Sequence, residues 1–542
     1  MSLSQSAGAD GRIDVDRQDA PTGVWCATVV DEGGVEHDVR FEIDGGGRIR
    51  RRAVEQPRPG DLVLGTVIPG AGNAHSHAFH RALRGRTHDD GGDFWQWRDS
   101  MYAVAAALEP ESYFVLARAV FAEMLVAGYT AVGEFHYLHH RIGGTAYPHA
   151  FEQALVAAAD EVGIRLTLLD AAYLQAGPGR PLEPAQRRFG DQDAADYLTR
   201  WHALRELVPT LGAALHSVRA VPPAAIAEIV AGLPPDVPLH VHLSEQPREN
   251  AEVLAAYVVT PTRLLADAGA LTARTSVVHA THLDDADIEL IGASGATVVM
   301  CPTTEADLGD GIGPARALRD AGAVLALGSD QHAVIDPFLE VRGLEMHERL
   351  ASGRRGVFSP AELVAASTSG SYRALGLGGS SDGPAASSLG AEGAAPATAG
   401  FSAEASGSVP GERRTAPTGA RVSSLRVGDL LDLVEVATDT VRTVGARPAQ
   451  LPLVATSADV RRVLVGGRVV ADTGVLTGGA HPSDLLRDAL APLDRVHPWA
   501  ARVHLPADPG DPHTESGRPA PGGGDAPGPA LTSGDIDGGG AA

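Results

Sequence analysis

Lysine is absent from all 542 residues, so the 44 basic side chains are all arginine. Arginine stays protonated at any pH a protein meets. Lysine Schiff bases, lysine general bases and carbamylated-lysine metal bridges are therefore excluded. Cysteine is nearly absent: Cys26 and Cys301 are too few and too far apart for a disulfide framework or a Cys-rich zinc module. That usage fits a reducing compartment. No apolar run approaches the ~18 residues that would suggest a membrane span, and the polar, acid-containing start of the chain lacks signal-peptide architecture. The expectation is a cytoplasmic protein with no membrane partner. Positive charge is in deficit, with a formal net charge of −24. This argues against nucleic acid as a partner, because phosphate binding needs a basic surface. An anionic substrate would be repelled at long range and would need a local cluster of cations.

What is present is an alternating pattern. Residues 1–20 are polar and expected to be disordered. Over 21–68, the stretches VWCATVV, VRFEI and LVLGTVI read as strands between Gly, Pro and Asp turns. Over 69–375, short apolar runs alternate with amphipathic helices, the mark of repeated βα units around a parallel sheet. The candidate strands are TVIPGAGNAH, TAVGEFHY, RLTLLDAAY, GAALHSVRA, PLHVHLSE, TSVVHATH, ATVVMCPTT and VLALGSD. Eight such units imply a (β/α)8 barrel, whose active-site residues lie at the C-terminal ends of the strands. His, Glu, Asp and Arg do gather at the ends of these runs. Residues 376–420 are rich in Gly, Ala, Ser and Pro and are expected to form a disordered insertion. Strand-like runs resume over 421–475 at DLLDLVEV and VRRVLVGGRVVAD and should complete the sheet begun near residue 24. A helical segment over 476–500 holds an amphipathic helix at about 482–491, and 501–542 is expected to be a disordered tail. The fold class is thus α/β, a TIM-like barrel with a small β-sandwich built from the two flanking segments.

The strongest local signal is His75-Ser-His77 after an apolar run, because alternate residues at a strand end face the same side and can grip one metal. An isolated His-x-His is common in solvated loops. Here, however, HVHLSEQ adds His240, His242 and Glu245, VVHATH adds His279 and His282, and LALGSDQH adds Asp330. Sites at the ends of four separate candidate strands make coincidence a poor explanation. Other features fit blander roles: Cys301 is expected to pack, and GAGNAH lacks the third glycine and following helix of a dinucleotide fingerprint. In FHYLHH, His136, His139 and His140 could form a second metal site, but His139 and His140 are expected to support the first site or lie on the surface.

This ordered set resembles the amidohydrolase superfamily over roughly residues 24–475, without the insertion. The resemblance implies that His75, His77, His242 and Asp330 hold a divalent metal, and that His279 and Glu245 assist catalysis. Without a lysine to bridge two ions, a mononuclear site follows, with zinc the expected metal. Zinc favours imidazole and carboxylate ligands and lowers the pKa of a bound water toward ~7, which supplies hydroxide near neutrality. In this scheme Asp330 takes the water's proton, His279 orients the nucleophile and Glu245 protonates the departing nitrogen.

Longer runs are similar to the formimidoylglutamate deiminases: NAHSHAFHRAL, FWQWRDSMY, GYTAVGEFHYLHH, QRRFGD, HSVRAV, HVHLSEQ, VHATH and TEADLGDGI. This implies hydrolysis of N-formimino-L-glutamate to N-formyl-L-glutamate and ammonia, with a homodimer as the expected assembly. It also implies substrate contacts from His80, Arg98, Tyr137, His216 and Arg219. His80 stands where many relatives carry glutamine, and like glutamine it can donate a hydrogen bond to the substrate. Arginine suits such a substrate, since its planar fork binds carboxylates bidentately. The alternative is another deaminase of the superfamily, acting on a purine, pterin or adenosyl compound.

Overall fold

The computed structural model describes residues 23–87, 94–377 and 425–496. The N-terminal segment 1–20, nearly all of the insertion 376–420 and the tail 501–542, each expected to be disordered, lie outside the described residues. Four strands open the described chain: β1 (Gly23–Asp31), β2 (Gly34–Ile43), β3 (Ile49–Val54) and β4 (Leu62–Pro69). The barrel strands follow as β5 (Ala71–Ser76), β6 (Tyr129–His136), β7 (Arg165–Ala172), β8 (Leu211–Ser217), β9 (Leu239–Leu243), β10 (Thr275–His279), β11 (Thr297–Met300) and β12 (Val324–Leu327). The chain then returns to the first sheet with β13 (Leu433–Val436), β14 (Val460–Val465), β15 (Arg468–Asp472) and β16 (Val475–Leu476).

β5 to β12 pair in sequence order, every pair parallel. Strands covered by helices outside and side chains inside are buried on both faces, which is why they read as continuous apolar runs. Every residue of β5, β6, β9, β10 and β11 is buried. A parallel bridge between Ser76 and Asp330 closes the circle, with Asp330 N–H donating to His75 O at 3.0 Å and His77 N–H to Asp330 O at 3.1 Å. Closure at this point requires Gly328, since a Cβ there would lie 2.8 Å from the His75 Cβ and 2.9 Å from its carbonyl oxygen. The seam of the barrel is therefore also where three of the candidate metal ligands, His75, His77 and Asp330, meet.

The flanking segments form one mixed sheet in the order β16-β15-β14-β13-β4-β1-β2-β3. It folds over an apolar core that includes Val24, Cys26, Phe41, Leu64, Leu431 and Leu464. At the fold the β2–β3 turn meets the β14–β15 turn, and a Cβ on Gly47 (φ +76°) would come within 2.5 Å of the Gly466 Cα. One expectation needs correction. TVIPGAGNAH is not a single strand: it ends β4 in the flanking sheet at Pro69, and β5 begins in the barrel at Ala71. Proline has no N–H to continue a ladder, and Gly70 donates instead to Asp432 O across the junction at 2.9 Å. The C-terminal helix spans Pro482–Val496, beyond the expected end near 491. Among the described residues no helix is long and apolar enough to cross a membrane.

Candidate metal centre and substrate cavity

Parallel strands deliver their last residues to one rim. There the ligand atoms of His75, His77, His242 and Asp330 all lie within 4.8 Å of one another, and all four side chains are buried. His242 Nε2 is 3.0 Å from His75 Nε2, and Asp330 Oδ1 is 3.3 Å from His75 Nε2 and 3.4 Å from His77 Nε2. Tetrahedral bonds of ~2.0–2.1 Å place ligand atoms roughly 3.3 Å apart, so these spacings suit one small divalent ion. The tautomers agree. His77 Nδ1–H donates to Phe135 O and His242 Nδ1–H to His216 O, each at 2.8 Å, which leaves both Nε2 lone pairs facing the group. Burial, reinforced by neighbouring imidazoles, holds His75, His77 and His242 well below the usual histidine range, in the neutral form a metal requires.

The His-Ser-His turn is gripped from below by Glu134 on β6. Its carboxylate accepts from Ser76 Oγ at 2.6 Å, Ala78 N at 2.7 Å and Tyr113 Oη at 3.2 Å. His240 shares the inward face of β9 with His242 but points deeper, where its Nε2–H donates to Ala374 O at 2.8 Å. Two site residues hold left-handed backbone, His279 at φ +70° and Asp330 at φ +40°. Such conformations cost ~1–3 kcal/mol each and persist where surrounding contacts over-determine them. For Asp330 those contacts are the barrel-closing hydrogen bonds.

His279 sits among carboxylates, with Nε2 3.6 Å from Glu245 Oε1 and 3.8 Å from Asp330 Oδ2, and Nδ1 3.5 Å from Glu305 Oε1. Burial by itself would lower its pKa, but Glu245, Glu305 and Asp330 outweigh it and hold the imidazole up at about 10. Glu245 is also pushed up, out of the ordinary carboxylate range. Burial, with Asp330 and Glu249 adding like charge, raises it to about 7 against the pull of His279 and Arg219. Strong upward shifts of an imidazole and a carboxylate at one cleft mark a candidate site for proton transfer.

The same cavity is lined by His80, Arg98, Tyr137, His216 and Arg219, so all five expected substrate contacts converge on it. His80 Nε2 and Tyr137 Oη are 2.9 Å apart, and burial lowers His80 to about 3, leaving it neutral. His216 is likewise lowered to about 3, by burial and then by Arg219 and Arg98. Arg98 comes from helix Phe94–Ala107, whose Phe94, Trp97, Arg98, Met101 and Tyr102 all line the cavity. Their spacing at i, i+3, i+4, i+7 and i+8 puts them on one helical face. That period within FWQWRDSMY was the signal for Tyr102, which sequence reading did not single out. Glu134, Glu305 and Tyr173 were also missed, each lying inside a stretch read only for its strand or its family likeness.

Cys301 is fully buried beside Ala74, Val278, Val299 and Ala326, with its thiol held well up by burial, as befits a packing residue. FHYLHH resolves differently from a surface loop: His139 and His140 are buried, 1% and 9% exposed. His136, His139 and Glu152 approach closely enough to hold an ion. Yet His139 Nε2–H donates to Ala171 O, its Nδ1 lies 2.9 Å from Glu152 Oε1, and a cation is already present in Arg200. Arg200 forks onto Asp170 at 2.7 and 2.9 Å and onto Asp191 at 2.8 and 2.9 Å. This is an ion-pair network that ties helix Ala194–Arg205 and the loop before it to β7. Arg200→Met should lower stability by about 3–5 kcal/mol, because it strands two buried carboxylates. Urea unfolding checks this, and an unchanged midpoint would show that the network carries no load.

The sequence model of the amidohydrolase family matches residues 66–381. A formimidoylglutamate deiminase from Pseudomonas aeruginosa is 40% identical over 332 residues, covering 59% of this chain and 73% of that protein. A 5-methylthioadenosine/S-adenosylhomocysteine deaminase from Natronomonas pharaonis is 30% identical over 341 residues, 60% of this chain and 73% of that one. In three dimensions the chain is similar to an amidohydrolase from Brucella melitensis, with a TM-score of 0.73 and 28% identity over 86% of this chain and 98% of the other. With the barrel, its flanking sheet and a match across more than half of its length, the chain belongs to the amidohydrolase family.

Proposed function

We propose that the protein hydrolyses N-formimino-L-glutamate to N-formyl-L-glutamate and ammonia. The observation that carries this reading is that Arg98 and Arg219 line the same cavity as His77, His242, Asp330, Glu245 and His279. Two guanidiniums beside a hydrolytic centre suit a substrate with two carboxylates. The 40% identity to a formimidoylglutamate deiminase points the same way. The expectation of a homodimer rests on resemblance and that of a cytoplasmic protein on composition; sedimentation and cell fractionation test them.

In this reading His75, His77, His242 and Asp330 hold one zinc ion per chain. A zinc ion there would lower the pKa of a bound water toward ~7. Asp330 Oδ2, 3.8 Å from His279 Nε2, takes the proton that the water gives up as it adds to the formimino carbon. His279 donates a hydrogen bond from Nε2 and so orients the water, while Glu305 steadies the far side of its ring. With the formimino group entering as its amidinium, the adduct carries a neutral NH2. Glu245 gives its proton to that nitrogen, and the carbon–nitrogen bond breaks with its electron pair going to nitrogen. The adduct's hydroxyl proton passes to Glu245 as the formyl C=O forms, ammonia departs, and Asp330 releases its proton to solvent. Arg98 and Arg219 hold the carboxylates, and His80, Tyr137 and His216 complete the wall around the formimino group.

A second reading has one observation in its favour. Phe94, Trp97, Tyr137 and Phe189 line the cavity and could stack a flat base, and the Natronomonas relative is a deaminase of adenosyl compounds by name. Ammonia release from N-formimino-L-glutamate beside guanine and adenosine decides between them, and preference for a purine overturns the proposal. Arg219→Met should raise KM for the formimino acid about 10- to 100-fold, the weight of a charge-assisted hydrogen bond. Metal content should stay constant, and metal loss as the main effect would refute the assigned role.

A further inference from the structure

Gln186 lies beneath the cavity wall in a short helical turn, Pro184–Arg188, and is buried. Its side-chain oxygen accepts the Glu183 backbone N–H at 2.9 Å. That contact settles which end of the amide is which, so the group facing the cavity is NH2, a donor only. Its two hydrogens go to Tyr102 Oη at 3.0 Å and Tyr173 Oη at 3.1 Å. Both phenol oxygens are thus acceptors, and each retains its own O–H hydrogen. Even if Tyr173 spends its hydrogen on Tyr102, one remains, and it belongs to the more exposed ring. Tyr102 and Tyr173 line the cavity together with Arg98 and Arg219. The Arg98 guanidinium lies 5.5 Å from the Tyr102 ring centroid.

We propose that the Tyr102 hydroxyl, aimed by Gln186, is a substrate-binding donor that helps the arginines hold one of the two substrate carboxylates. A glutamine that could turn its oxygen toward the phenols would let them point back at it. Gln186 is prevented from doing so by the Glu183 amide, so the Tyr102 hydroxyl hydrogen is turned away from it and is left to donate beside Arg98 and Arg219. Tyr102 then favours an acceptor such as a carboxylate, and Gln186 is its positioning residue. This inference rests on the reading of the substrate as a formimino dicarboxylate.

Tyr102→Phe removes the hydroxyl and keeps the ring. KM for N-formimino-L-glutamate should rise about 10- to 100-fold, with kcat within about twofold, as expected for loss of a hydrogen bond to a charged group. Measured with the two monoamides, N-formimino-L-glutamine and N-formimino-L-isoglutamine, the same substitution should raise KM for one and leave the other unchanged. That asymmetry identifies the carboxylate, and a merely structural role would not produce it. Gln186→Met should reproduce a smaller rise in KM with kcat again preserved. An unchanged KM in Tyr102→Phe, or an equal loss on all three compounds, overturns the inference. If the unmodified enzyme fails to release ammonia from N-formimino-L-glutamate, the substrate reading falls as well, so the two failures are distinguishable.

Discussion

Replacing His77 by alanine is expected to abolish both metal binding and ammonia release, with kcat/KM falling by at least about 10⁴-fold. The magnitude follows from the chemistry an ion supplies, which shifts the pKa of water from ~15.7 toward ~7. Without it, hydroxide at neutral pH is scarcer by many powers of ten. His77 is the informative ligand because its Nδ1–H is held by Phe135 O at 2.8 Å, so nothing else in the cavity depends on its ring for a hydrogen bond. Elemental analysis of the purified variant should show little bound metal, and chelation of the unmodified enzyme should mimic the loss until divalent zinc is returned. Full metal occupancy with normal activity would remove His77 from the coordination set and leave the proposed centre with three side chains.

The second large effect is kinetic. Glu245→Gln should lower kcat about 10³-fold, within the ~10²–10⁴ range of a positioned proton donor. KM and metal content should barely move, since Glu245 is not among the four ligands. The pH profile makes the test sharper. Burial and nearby acids raise Glu245 to about 7, and the protonated form is the donor. In the unmodified enzyme kcat should therefore be flat below about 7 and fall about tenfold per pH unit above it. Glutamine cannot titrate, so that limb should vanish in the variant. A variant that retains the limb would assign the ionisation to another group, with His279 the next to test.

Most of the site was legible as local pattern. His-Ser-His after one apolar run, His242 and His279 within two more and Asp330 after the last are spaced as strand ends, and a parallel barrel sends all strand ends to one rim. The absence of lysine told against a bridged pair of ions without any structure. The first barrel strand was misjudged because apolar character runs unbroken through Pro69, while the change of sheet depends on which partners the backbone finds on either side of Gly70. Tyr102 and Gln186 were missed for a related reason. Both lie in runs read only for their family likeness, FWQWRDSMY and QRRFGD, and their pairing depends on an amide orientation set by the Glu183 backbone.

The sequence by itself determined the barrel, the candidate ligand set and the chemical class. Side-chain period and residue type are local properties, and imidazole and carboxylate limit the chemistry wherever they are brought together. Only the tertiary structure decided that His77 and His242 present Nε2, that Glu245 and His279 are both shifted upward, and that two arginines share a cavity with the candidate ligands. Each of these depends on carbonyls, charges and burial contributed by residues remote in the chain. Distance and desolvation exist only after folding.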